Sequence, residues 1–201
     1  KSLVSLTNKA PSVNAQIALR YLFKRGFTRD DILKWKIGYC SEGEYAGRVV
    51  VPSFNENGYA NYFIARAYGG AWPRYKNPPA SRDIIFNELY VNWDEDIVIV
   101  EGVFDAIKAG NAIPLLGSTL RENSALFQAI VKNGRRVFLA LDEDASKKAR
   151  SIARLLLKYG VEVHEVDTSG IEDVGDMSKN EFQSRKNNAA IVQKDNYLLQ
   201  R

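Results

Sequence analysis

The stretch Ile97-Val-Ile-Val-Glu-Gly-Val-Phe-Asp-Ala-Ile-Lys-Ala-Gly110 decides the fold. Its first four residues are apolar without interruption, the pattern of a strand buried on both faces. Glu101-Gly102 breaks the run, and Val103 to Ala109 reads as a short helix stopped by Gly110. A strand that ends in a carboxylate and a glycine and passes at once into a helix puts Glu101 at the carboxyl end of the strand. Open α/β sheets build their sites there.

A second piece repeats the form. Arg136-Val-Phe-Leu-Ala-Leu141 is an apolar run closed by Asp142-Glu143-Asp144, with a helix predicted from about Ala145. On an extended chain the side chains at i and i+2 share a side, so Asp142 and Asp144 are expected to face together and Glu143 away. If the two strands are parallel neighbours, Glu101 joins both aspartates. Carboxylates held that close raise one another's pKa or demand a cation, and a hard divalent ion such as Mg2+ suits an all-oxygen set.

Two further signals complete a resemblance. Glu172-Asp173-Val-Gly-Asp176 lies downstream, and Gly117-Ser-Thr-Leu120 follows the strand-like Ala112 to Leu116. Glu-Gly into a helix, Asp-x-Asp on a strand end and this last acidic segment, in this order, resemble the Toprim domain of primases, topoisomerases, some nucleases and recombination proteins. The resemblance implies Glu101, Asp142 and Asp144 as catalytic residues, with Asp173 and Asp176 beside them as metal ligands. Glu101 is left with two open roles, ligand or base. Relatives usually carry Asp-Pro-Asp or a close variant where this chain has Asp173-Val-Gly-Asp176, a spacing longer by one.

The 201 residues suffice for one or two domains, and 45% hydrophobic with 26% charged content fits an ordinary soluble protein. No run is long enough for a transmembrane helix, and Lys1-Ser-Leu-Val-Ser-Leu6 is too short for a signal peptide. The single cysteine, Cys40, excludes an internal disulfide and a Cys-based zinc site within these residues, and points to a cytoplasmic protein, in the host if the source is a phage. His164, the one histidine, reads as a sheet residue. The chain begins at Lys rather than Met, so an excised fragment is expected, with a zinc module upstream or a helicase module downstream.

Charge is segregated. Residues 1–92 carry 13 Lys/Arg against 7 Asp/Glu, 93–170 carry 10 against 12, and 171–201 carry 5 against 5. A basic half beside an acidic, metal-ready half suits a polyanion held near a cation site. Lys147, Lys148 and Arg150 read as a solvated helix face.

In the first half, residues 1–12 are polar and expected to fray, Val13 to Arg25 has helical spacing ended by Gly26, and Thr28 with Asp30 and Asp31 opens a second helix. Gly47 to Pro52 and Tyr59 to Ala67 read as strands joined at Asn57-Gly58. From Glu101 onward, strands at 97–101, 112–116, 136–141 and 161–166 alternate with helices at 103–109, 122–133 and 145–159, which implies a parallel sheet with right-handed crossovers. Residues 178–201 read as a helical segment or linker.

Tyr21-Leu-Phe-Lys-Arg-Gly26, Lys36-Ile-Gly-Tyr39, Arg48 in Gly-Arg-x-x-x-Pro, Arg66 in Ala-Arg-Ala and Pro73-Arg-Tyr-Lys-Asn77 extend the resemblance to the catalytic core of bacterial and phage DNA primases, over residues 13–177. It implies that Arg48, Arg66, Arg74, Tyr75 and Lys76 line the template and nucleotide groove. Guanidinium groups grip phosphate bidentately, and Tyr75 between two cations is placed to stack on a base.

The expected architecture is α/β: a basic α+β subdomain (1–92), a Toprim parallel sheet flanked by helices (93–177), and the segment 178–201. The expected activity is RNA primer synthesis on single-stranded DNA from ribonucleoside triphosphates with Mg2+ or Mn2+, in company with a replicative helicase and an external zinc module, and without a membrane. The rival readings are a Toprim nuclease or topoisomerase and a non-catalytic DNA-binding scaffold.

Overall fold

The computed structural model describes residues 3–6, 12–117, 119–171 and 173–193. Most of the polar stretch 1–12, Ser118 and Glu172 within their motifs, and the chain end beyond 193 lie outside the described residues. Two compact units are formed, Lys1–Ala80 and Ser81–Arg201.

The first unit is built on an antiparallel sheet. Its elements are β1 (Leu3–Ser5), α1 (Val13–Lys24), α2 (Arg29–Lys34), β2 (Gly38–Cys40), β3 (Arg48–Phe54) and β4 (Ala60–Ala67), with strand order β1-β2-β3-β4. Helix α1 starts where Ser12 accepts from the Ala15 N–H, and it buries Ala15, Ala18 and Leu22. Helix α2 starts in a capping box: Thr28 Oγ1 accepts from the Asp31 N–H while Asp31 accepts from the Thr28 N–H. The β3–β4 hairpin closes through Asn55, whose side chain accepts from the N–H groups of Asn57 and Tyr59, with Gly58 at φ 80°. Cys40 is buried with Val50 and Ala65. Strands β1 and β2 add two members to the expected hairpin, Cys40 pairing with Arg48 and Leu3 with Cys40. Both are three residues long, too short for a period to register.

The second unit carries the expected alternation: β5 (Ile97–Val100), α3 (Val103–Ala109), β6 (Ala112–Pro114), α4 (Ala125–Asn133), β7 (Val137–Ala140), α5 (Ser146–Lys158), β8 (Val163–Glu165), α6 (Lys179–Asn187) and β9 (Ala190–Ile191). The sheet order is β6-β5-β7-β8-β9. The first four strands are parallel, and β9 returns antiparallel beside β8. All four residues of β5 are at most 1% exposed, which is why the strand reads as unbroken apolar sequence. Helix α4 begins at Ala125 rather than 122, because Ser124 caps it and Asp83 accepts from the Ala125 N–H. Ile85, Val91 and Trp93 pack against the sheet core. No helix among the described residues is long and apolar enough to cross a membrane.

The order of strands locates the site. From β5 the chain crosses to β6 on one side, then comes back past β5 to β7 on the other. The connections therefore diverge between β5 and β7, and such a switch point opens a crevice at the carboxyl ends of the strands.

Candidate metal centre

Glu101 leaves the end of β5 and Asp142 leaves the end of β7, and the two strands are parallel neighbours paired from Ile97–Val137 to Val100–Ala140. The condition set by the sequence for a shared acidic cluster is met. The membership of the tightest group differs from expectation. Oxygens of Asp105, Asp142 and Asp173 all lie within 4.8 Å of one another.

Asp105 stands one turn into α3. Its Oδ2 accepts from the Gly102 N–H at 2.7 Å, which closes the start of that helix. A Cβ at position 102 would lie 3.2 Å from this oxygen, so the glycine lets the carboxylate approach the backbone. In the sequence Asp105 stands only as a residue of the short helix Val103 to Ala109. The signal that finds its second role is spacing: four residues after Glu101, across a strand–turn–helix, it returns to the mouth of the sheet.

The chain does not stay extended beyond Asp142. Strand β7 ends at Ala140, and Asp142 precedes a 3-10 turn, Glu143–Ala145. The period-2 expectation that pairs Asp142 with Asp144 therefore does not apply: Asp142 is half-buried, whereas Asp144 is exposed. Asp142 Oδ1 accepts from the Val174 N–H at 3.4 Å, and Asp173 Oδ1 accepts from the Gly175 N–H at 2.8 Å, which starts the 3-10 turn Val174–Asp176. Asp176 is exposed at the end of that turn.

Electrostatics agree with a crowded anionic site. Burial, then the charge of Asp173 and a hydrogen bond shared with it, push Asp105 up to about 8 against the pull of the Gly102 N–H. Burial also raises Asp142, opposed by the Val174 N–H and reinforced by Glu101, Asp173 and Asp144. At an effective dielectric of about 20, two unit charges 4.8 Å apart repel by roughly 3–4 kcal/mol. One backbone hydrogen bond to a carboxylate returns about 1.5–3 kcal/mol, so three ionised groups here require a proton or a cation.

Glu101 is half-buried beside the trio. Its Oε2 lies 3.4 Å from Lys148 Nζ, and its Oε1 is buried without a hydrogen-bond partner. Lys148 thus turns inward from α5, a correction to the solvated face read from sequence; Lys147 and Arg150 on the same helix are exposed. Three convergent carboxylates and one unsatisfied buried carboxylate oxygen form a donor set that fits a hard divalent cation.

The basic constellation belongs to the first unit. Arg48 is 4% exposed, and its Nη1 and Nη2 donate to the carbonyls of Ala46 (3.1 Å) and Pro73 (2.8 Å), so it ties the loop before β3 to the loop after β4. Arg66 is buried, donates from Nη1 to the Tyr75 hydroxyl at 2.7 Å, and lies 5.3 Å from the centre of that ring. Arg74 is exposed. Lys76 lies 3.2 Å from Glu44 and over the ring of Tyr45. The structure brings Arg48, Arg66, Arg74, Tyr75 and Lys76 onto β3, β4 and one loop.

No family model matches the chain. The DNA primase of Thermotoga maritima is 28% identical over 211 aligned positions, covering 80% of this chain and 37% of that protein. The DNA primase of Staphylococcus epidermidis is 24% identical, covering 77% of this chain and 34% of its own length. The chain thus spans about a third of the length of the curated relatives it matches. Among solved structures, a DnaG primase catalytic domain bound to ssDNA superposes with a TM-score of 0.77 at 19% identity, covering 93% of this chain and 74% of that one. The Aquifex aeolicus primase, zinc-binding and RNA polymerase domains, gives 0.74 at 22% identity, covering 93% and 57%. The fold is that of the bacterial primase catalytic core, as the motif resemblance led one to expect.

Proposed function

We propose that this chain is the catalytic core of a DNA primase, a nucleotidyltransferase that joins ribonucleotides into short RNA primers on a single-stranded DNA template. The observation that carries the reading is the convergence of Asp105, Asp142 and Asp173 at the switch point of a primase-core fold. Asp142 and Asp173 would hold a divalent ion, Mg2+ or Mn2+, with Asp105, Glu101, Asp144 and Asp176 around them. Such an ion supplies charge neutralisation for the nucleotide phosphates and lowers the pKa of an attacking hydroxyl.

The chain's own groups prepare the site. The N–H groups of Gly102, Val174 and Gly175 fix the rotamers of Asp105, Asp142 and Asp173. Lys148 holds Glu101 at the rim, where the carboxylate either completes the ligand set or takes the proton of the 3′-hydroxyl. In the first unit, Arg48 fixes the loop that presents Arg74, Tyr75 and Lys76, and Arg66 braces Tyr75 from the sheet. These cations are assigned to template and nucleotide phosphates. A zinc-binding module, as in the Aquifex relative, and a replicative helicase are the partners such a core would serve, in the cytoplasm.

Incorporation of labelled ribonucleotides on single-stranded DNA with Mg2+ or Mn2+ tests the reading. Wild type should make primers, and Asp142→Asn should lose at least about a hundredfold in rate, the scale of removing one charge-stabilising group. Cleavage of DNA in place of incorporation would move the chain to the nuclease class.

A further inference from the structure

Trp72 is 87% exposed, the most exposed large apolar side chain of the described residues. It stands on the rim of an open cavity of ≈ 400 Å³ in the first unit, whose walls include Arg25, Arg66 and Arg74. The backbone at Gly69 and Gly70 borders the same cavity, with nothing within 4 Å of where a Cβ would stand, so a ligand can approach the main chain. The unit carries 12 Lys/Arg against 5 Asp/Glu. An indole left in water beside guanidinium groups and a bare backbone is the arrangement that binds unpaired bases: the ring face takes a base regardless of its identity, and the cations take the flanking phosphates. Tyr75, the aromatic that the sequence singled out, is engaged through its hydroxyl by Arg66. Trp72 is the ring that stands clear.

We propose that Trp72 is a stacking platform for an unpaired base of a single DNA strand, with Arg74 on an adjoining phosphate. The identity of the ligand rests on the primase reading; the geometry of the cavity does not.

The test is binding of a fluorescein-labelled oligothymidylate to the chain across a salt series, without nucleotides or metal, for wild type, Trp72→Ala, Trp72→Phe and Arg74→Ala. Trp72→Ala should weaken binding by about 5- to 150-fold, the range for loss of one base–aromatic stack, with the salt slope unchanged. Trp72→Phe should keep most of the affinity. Arg74→Ala should reduce the slope of log K against log salt by about 0.7, one phosphate contact on a single strand. Trp72 emission in wild type should be quenched by the oligomer. Equal affinity of wild type and Trp72→Ala overturns the proposal. So does quenching of Trp72 by free ATP but not by the oligomer, which would make the cavity a mononucleotide site. The outcomes separate from the catalytic reading: if wild type makes primers and Trp72→Ala binds normally, only this inference falls. If wild type makes none and Trp72→Ala loses binding, the platform stands and the primase reading falls.

Discussion

Asp105 holds its proton far more tightly in the folded chain than an aspartate does in water, up to about 8 against 3.8. Between those two values the native state binds more protons than the unfolded state, so stability falls as pH rises through that window. The contribution is whole below about pH 4 and gone above about pH 8. Asp105→Asn keeps an acceptor for the Gly102 N–H and does not ionise. In EDTA its melting temperature should match wild type near pH 4 and exceed it near pH 8.5, where each kcal/mol moves the midpoint by about 2–4 °C. Excess Mg2+ should reverse the order at the high pH, since ligation stabilises the ionised wild-type cluster. Parallel pH slopes for the two proteins in EDTA would rule the cluster out as the source. The same residue shows where sequence stops short. Glu101 and Asp142 announce themselves by ending apolar runs, whereas Asp105 lies inside a helix, three residues after its N-cap Gly102, and only the folded turn between Glu101 and Asp105 brings the carboxylate back to the mouth of the sheet.

At the scale of elements, legibility followed length and burial. Strand β5 and helix α3 fell where the apolar run and Gly110 put them, and β7 and α5 within a residue or two, because continuous burial and a 3.6-residue period each leave a long signal. Strand β9 pairs two exposed residues with β8, and nothing in Ala190-Ile191 encodes that partnership. The hierarchy predicts the energetics. Ile99 is fully buried at the centre of β5, paired with Ile113 on one side and Leu139 on the other, so Ile99→Ala should cost about 2–5 kcal/mol in urea unfolding. Thr28→Ala removes one half of the α2 capping box and should cost about 1 kcal/mol. A cost for Ile99→Ala no greater than that for Thr28→Ala would mean that β5 is not the core of its unit.

For the whole molecule, the division of charge separates two tasks that the proposed polymerase activity must combine. Residues 1–80 carry a net +7 and residues 81–201 a net −3, and the carboxylate trio lies wholly within the second group. Strand binding by lysines and arginines releases counterions and weakens steeply with salt. Chemistry at a carboxylate cluster depends on a divalent ion instead. The two dependences should come apart in one preparation. Chelation with EDTA should abolish ribonucleotide incorporation and leave oligonucleotide affinity at its metal-present value or slightly below it, since unscreened carboxylates repel a strand only at short range. Raising salt at constant Mg2+ should weaken oligonucleotide binding along a straight log–log line, and incorporation at subsaturating template should fall with it. Strand affinity that vanishes on chelation would instead place the metal between protein and template, and the basic unit would then not be the principal seat of binding.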